Sequence, residues 1–302
     1  MSLLTYSSLM IRYWVPPIRV HCWGGLGSQL FGWSLYEDLQ IRYPSRRIHV
    51  YLHQGGVTQR PSEIDHVFEK GIIFKVFDYD PEFQINNNEV SQNFSKKTLF
   101  MFKEVTLKFL KFIGVLATVN NDLEFAKLKP WIIEIRGHYS YRAISKQSIN
   151  AIADKSNSSK TPLVTVVPKQ ESKIGVHFRL GDLIQLKNKQ PINTSQLSKI
   201  IASQALSNQI QNIEIYSDSL NAAKSYLTNE LIVSNIKFYS ETTWSTILRL
   251  QELEIFIGTA SKVSFWVCIF RHFKDLQSNS LMPKQCERNL SLLIPNNKIV
   301  YY

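Results

Sequence analysis

The sequence predicts an α/β protein built from two doubly wound, Rossmann-like domains facing one another across a cleft. Three observations lead there. In the C-terminal half, short β-branched or aromatic runs alternate with longer helical patterns, the mark of βαβ units on a parallel sheet. The N-terminal half repeats the alternation less regularly. Between them runs the polar, Ser-rich stretch Asp154–Pro162, which reads as a linker. The expected division is an acceptor-side domain over residues 1–160 and a donor-binding domain over 161–302.

The C-terminal elements follow in order. Ile174–Arg179 reads as a buried strand and Ser195–Ser207 as a helix. Strand Asn212–Ser217 precedes helix Ser219–Leu227. Strand Asn235–Tyr239 precedes helix Thr242–Glu252, and strand Glu254–Ile257 precedes helix Ser261–Phe273. In the N-terminal half, Ile18–Cys22, Ile48–Leu52 and Ile72–Phe77 read as strands, and Ile132–Ile135 as a further one. A helix runs to about Ile41 after Gly24-Gly25-Leu26-Gly27, and the Asn-rich Asp80–Lys97 reads as a loop.

Composition narrows the class. With 44% hydrophobic and 12% aromatic residues the chain can bury a core. The net charge of +11, from 35 basic and 24 acidic residues, favours an anionic partner: a nucleotide phosphate, a nucleic acid or an acidic lipid surface. The basic residues are scattered and no RNA- or DNA-binding motif is present, so no nucleic acid is expected. Cys22, Cys268 and Cys286 form no CxxC pair, which points to buried apolar side chains in a reducing compartment. No run of 18 uncharged apolar residues exists, and the N-terminus has no apolar core of signal-peptide type. The expected location is cytoplasmic, with peripheral contact at the inner face of the membrane as an option. That option rests on Leu99–Ala117, an apolar run with Lys103, Lys108 and Lys111 at helical spacing. Such a segment either rests on an anionic membrane or is an ordinary helix whose lysines face water.

Four segments can carry chemistry. Gly24-Gly25-Leu26-Gly27-Ser28-Gln29 joins a strand to a helix; glycines permit a tight turn and close approach to a ligand, and the helix N-terminus offers free N–H groups. The spacing is neither the dinucleotide G-x-G-x-x-G nor a P-loop. His177-Phe178-Arg179-Leu180-Gly181-Asp182 ends a strand, placing His177 and Arg179 on one side of it. A guanidinium there can grip a diphosphate through two parallel hydrogen bonds. Tyr216-Ser217-Asp218 follows another strand, where Ser217 or Asp218 caps the helix from Leu220. Gly258-Thr259-Ala260-Ser261-Lys262-Val263-Ser264 opens the last helix, with hydroxyls and N–H groups suited to a phosphate. Asp78-Tyr79-Asp80 has the D-x-D form of metal-dependent sugar transferases but is too short a signal to keep. No other residues have metal-ligand spacing, so no metal is expected.

In this order the segments resemble the α-1,2-fucosyltransferase family, glycosyltransferase family 11, over residues 18 to about 272. Gly24–Phe31 is similar to its Gly-Gly-Leu-Gly-Asn-Gln-aliphatic-Phe motif, with Ser28 in place of Asn. His177–Asp182 is similar to its His-x-Arg-Arg-Gly-Asp motif, with Leu180 for the second arginine. Ala260–Trp266 is similar to its Asn-Ser-x-Phe-Ser-Trp-Trp stretch, with Ala260 for Asn, Val263 for Phe and Phe265 for the first Trp. Gly137-His138-Tyr139 looks like its Gly-Tyr motif and Tyr216–Asp218 like its Ser-Asp motif. The resemblance implies a GT-B fold and transfer of fucose, with inversion, from GDP-fucose to a hydroxyl of a galactose-containing glycan acceptor. GDP-fucose would be a co-substrate, with no cofactor or metal. It implies Arg179, His177 and Asp182 as catalytic residues and Gly24, Gly25, Gly27, Gln29, Ser217, Asp218, Thr259, Ser261 and Ser264 as donor-binding ones. The proton acceptor is His177, Asp182 or Glu241.

Overall fold

A computed structural model describes residues 15–53, 64, 73–76, 104–158, 172–180, 193–227, 235–274 and 279–302. The chain divides into two compact units, Met1–Ser159 and Lys160–Tyr302. Each is built on one parallel sheet, and both are doubly wound Rossmann-like folds.

In the N-terminal unit the described elements are β1 (Ile18–Trp23), α1 (Leu26–Arg42), β2 (Ile48–His53), β3 (Ile73–Val76), α2 (104–112), β4 (Leu116–Thr118), α3 (Asp122–Ala126), β5 (Glu134–Arg136) and α4 (Lys146–Ser158). The strand order is β3-β2-β1-β5-β4. Ile18, Val20 and Cys22 of β1 point to one face and are buried in the core, while Arg19, His21 and Trp23 take the other face. The buried face packs on α1, which is enclosed on nearly every side. Asp38 of α1 pairs with the buried Arg142 guanidinium and accepts from Ser148 Oγ at 2.6 Å, which fixes α4 against α1.

The C-terminal unit contains β6 (Lys173–His177), α5 (Thr194–Ser207), β7 (Asn212–Tyr216), α6 (Leu220–Leu227), β8 (Asn235–Tyr239), α7 (Thr243–Leu250), β9 (Ile255–Gly258), α8 (Lys262–Phe273), β10 (Ser280–Met282), α9 (Glu287–Leu290) and β11 (Ile299–Tyr301). Its order is β11-β10-β9-β6-β7-β8. Ile174, Val176, Ile213, Ile215, Ile255 and Ile257 form the centre of its core. β-Branched residues favour these pleated, doubly covered strands. Arg271 of α8 is buried and donates to the carbonyls of Leu250 (3.1 Å) and Glu254 (2.9 Å), so the helix is bolted to the segment leading into β9.

Three expectations change. Asp154–Ser158 is not linker but the end of α4, because the buried Ile149 and Ile152 anchor the helix from which those polar residues continue. The helix expected over Leu99–Ala117 has ended by 112, and Leu116 and Ala117 belong to β4, paired with β5. The strand expected at Ile132–Ile135 runs Glu134–Arg136. The D-x-D and the loop Asp80–Lys97 lie outside the described residues.

Candidate functional site

In a doubly wound sheet, ligands sit beyond the carboxyl ends of the strands where the order reverses. In the C-terminal unit that point falls between β6 and β9, whose last residues, His177 and Gly258, stand side by side. The sequence-predicted residues His177, Arg179, Thr259, Ser261 and Ser264 converge there. The Arg179 N–H donates to Thr259 Oγ1 at 3.2 Å, tying the two strand ends together. Ser261 is the N-cap of α8, its Oγ accepting from the Ser264 N–H at 3.1 Å. The positive potential at the N-terminal end of that helix suits an anion. Gly258 lets the turn come close: a Cβ there would stand 2.9 Å from Ser264 Cβ and 2.3 Å from Met282 Sδ.

His177 Nδ1 lies 2.8 Å from Ser264 Oγ and 3.2 Å from Ser261 Oγ. Burial above all, and then the nearby Arg179 charge, push its pKa down to about 4, against a smaller upward pull from Asp218. His177 is therefore an uncharged hydrogen-bonding post at neutral pH, and Arg179 carries the positive charge. Asp218 and Ser217 sit at the neighbouring strand end. Asp218 Oδ1 accepts from the Leu180 N–H at 2.9 Å, and Ser217 Oγ accepts from the Ser219 N–H at 3.1 Å. Asp218 thereby holds the turn that carries Arg179. Leu180 is buried in the core, 2% exposed. Glu241 Oε2 accepts from Ser245 Oγ at 2.6 Å. Gly181 and Asp182 lie outside the described residues.

The glycine segment occupies the corresponding point of the N-terminal unit, where β1 ends between β2 and β5. Gly24 has φ of 87°, which a side chain would strain. Gly25 is the N-cap of α1 and supplies no side chain, and Gly27 lies in the first turn. Gln29 is committed to backbone: its Nε2 donates to the Gly24 carbonyl at 2.9 Å, and its Oε1 accepts from the Ile64 N–H at 3.1 Å. It shapes the turn.

The same strand ends hold a cluster that the sequence reading did not find. His21 Nδ1 lies 2.7 Å from His53 Nε2, and His21 Nε2 lies 3.2 Å from Glu134 Oε1. Arg136 donates to that same oxygen at 2.8 Å. Hydrogen bonding from His21, outweighing burial and aided by Arg136, lowers the Glu134 pKa to about 2. Trp23 stacks on His53 with centroids 4.5 Å apart. His53, His21 and Glu134 thus stand in a row of close polar contacts, with the Arg136 guanidinium held on the carboxylate. The available signal was the alternation His21/Trp23, Tyr51/His53 and Glu134/Arg136, which puts all six on one face once β2, β1 and β5 are paired. Among the described residues no group of His, Cys, Asp and Glu forms a metal site. All three cysteines are buried, and none is in a disulfide.

The fold and these two switch points define a two-unit, all-parallel α/β protein with an anion-suited turn in its C-terminal unit. No protein-family model matches the sequence, and no curated protein matches it. Solved structures of similar fold include E. coli heptosyltransferase WaaC with ADP, at 7% identity and TM-score 0.44, over 94% of this chain and 93% of that one. UDP-GlcNAc 2-epimerase from Neisseria meningitidis bound to UDP-GlcNAc is similar at 11% identity and TM-score 0.41, over 87% and 81%. POFUT1 in complex with GDP is similar at 10% identity and TM-score 0.34, over 83% and 94%.

Proposed function

We propose that the chain is a glycosyltransferase using a nucleotide-diphosphate sugar, with GDP-fucose as donor and a galactoside hydroxyl as acceptor. The observation that carries this reading is the convergence of Arg179, the first turn of α8 and the hydroxyls of Thr259, Ser261 and Ser264 at the β6–β9 switch point. The choice of fucose and of an α-1,2 linkage rests on the motif resemblance.

In the inverting reaction the acceptor oxygen bonds to the anomeric carbon from the face opposite the diphosphate. The bond from that carbon to the β-phosphate oxygen breaks, and its electron pair leaves with GDP. Negative charge therefore grows on the leaving phosphate, where a preorganised guanidinium and helix N–H groups stabilise the transition state more than the ground state. The acceptor proton passes to a base. His177 is buried among hydroxyls and Glu241 already accepts from Ser245, which leaves Asp182 from the sequence candidates. Asp182→Asn should then lose turnover together with the acidic limb of the pH profile.

The test is incubation with GDP-fucose and a panel of terminal-galactose acceptors, with and without chelator. Turnover is expected, unchanged by chelation. Arg179→Ala should lower kcat about 100- to 1000-fold, the loss of one charge-stabilising donor. Arg179→Lys should recover little, because a point charge cannot make the two-pronged contact. A normal rate in Arg179→Ala would remove the diphosphate assignment. A different nucleotide sugar is favoured by one observation: Leu180 faces the core where the family places a second cation. A panel of nucleotide sugars in a thermal-shift assay decides between the two donors.

A further inference from the structure

Helix α2 has two apolar faces, and the fold uses one. Leu107 and Leu110 are half-buried on the inner side. Val105, Phe109 and Phe112, at i, i+4 and i+7, form a second stripe on the outer side, 64%, 58% and 88% exposed. The stripe continues past the helix end. Trp131 Nε1 donates to the Ile113 carbonyl at 2.8 Å, and the ring is 55% exposed. Exposed large apolar side chains in a contiguous row mark a contact surface.

The charges beside the stripe indicate what it contacts. Lys108 and Lys111 lie along one edge, both exposed, and Lys129 stands beside Trp131 at the end of the stripe. The acid on α2, Glu104, faces Lys108 at 3.7 Å in a surface pair that leaves the lysine 78% exposed. A tryptophan and phenylalanines bordered by lysines match the interface of an anionic bilayer, where rings enter the headgroup region and ammonium groups reach lipid phosphates. A stable contact between two protein copies needs about 800 Å² per partner, and four side chains of at most ~200 Å² each, only partly exposed, fall short of it.

We propose that α2 and Trp131 form a docking surface for an anionic lipid bilayer, with Phe109, Phe112 and Trp131 entering the interface and Lys108, Lys111 and Lys129 contacting headgroups. No described helix is long and apolar enough to cross a membrane, and the proposal is of surface contact. It goes beyond the transferase reading and does not depend on it.

The experiment is co-sedimentation of the full chain with vesicles of phosphatidylcholine alone and of phosphatidylcholine mixed with phosphatidylglycerol, without any nucleotide sugar. The protein should partition onto the anionic vesicles and be released by salt. Lys108→Gln with Lys111→Gln should weaken that partitioning about thirty-fold, at roughly one lysine's electrostatic contribution each. Phe109→Gln with Phe112→Gln should abolish it while the melting temperature is retained, because both rings are exposed. Failure of the wild type to bind anionic vesicles overturns the proposal, as does unchanged binding in both double variants. A concentration-dependent dimer that dissociates in the phenylalanine variant, with no vesicle binding, would reassign the surface to a contact between copies.

Discussion

Arg179 owes its place to neighbours more than to its own side chain. Thr259 receives its backbone N–H, and Asp218 receives that of Leu180, so two side chains from other strand ends set the turn. Asp218→Ala should therefore weaken donor binding while leaving the guanidinium present, read as a raised KM for the donor. His177 gives a pH-dependent prediction. Its pKa is about 4 when folded and about 6.5 unfolded, so between these values the unfolded chain binds more protons. Its contribution to stability is complete above the unfolded value and lost as pH falls towards the folded one, by on the order of 3 kcal/mol in all. His177→Gln should flatten that part of a stability-versus-pH curve from urea denaturation. Asp38 is the buried counterpart in the N-terminal unit. Asp38→Ala leaves Arg142 enclosed without its carboxylate and should cost about 3–5 kcal/mol in the same assay.

The elements that place the site were legible where each could be read locally. In the C-terminal half the strands from β6 to β9 carry β-branched or aromatic residues, and polar residues stand before the helices that follow them. Asn193, Thr242 and Ser261 do cap α5, α7 and α8. Ser261→Ala should cost about 1 kcal/mol of stability through the lost cap, measured by chemical denaturation. Gly258→Ala acts differently. Its Cβ would meet Ser264 and Met282, so α8 must retreat from the strand end. A loss of roughly 1–3 kcal/mol is expected, with a drop in donor affinity exceeding that of Ser261→Ala in a titration with GDP. The misread elements were those whose polarity suggested irregular chain, as in the last turn of α4, or whose apolar run covered two elements, as in α2 and β4. Local composition records neither the anchoring of a helix through earlier residues nor the strand partner that captures its successor.

At the level of the whole molecule, the two units carry opposite kinds of titrating group. Glu134 is held ionised by His21 and Arg136, with its pKa at about 2. Its stabilisation is complete above the unfolded carboxylate value and disappears only as pH falls from there towards the folded one. His177 in the C-terminal unit loses its contribution in a higher window. Acidification to about pH 5 should therefore weaken the C-terminal unit and spare the Glu134 contribution. Urea titrations read by limited proteolysis should place the fall in fragments of residues 172–302, with Glu134→Gln altering only the more acidic range. The sequence by itself determined the α/β class, the alternation of strands and helices, and the segments at which strands end in glycine, hydroxyl or arginine, because these follow from local periodicity and turn chemistry. Only the tertiary structure decided that β6 and β9 are neighbours, that Gln29 and Asp218 serve backbone, that Leu180 faces the core, and that His21, His53 and Glu134 meet. Those outcomes depend on the pairing of strands distant in sequence, which is set by packing of the whole sheet and leaves no mark on any one segment.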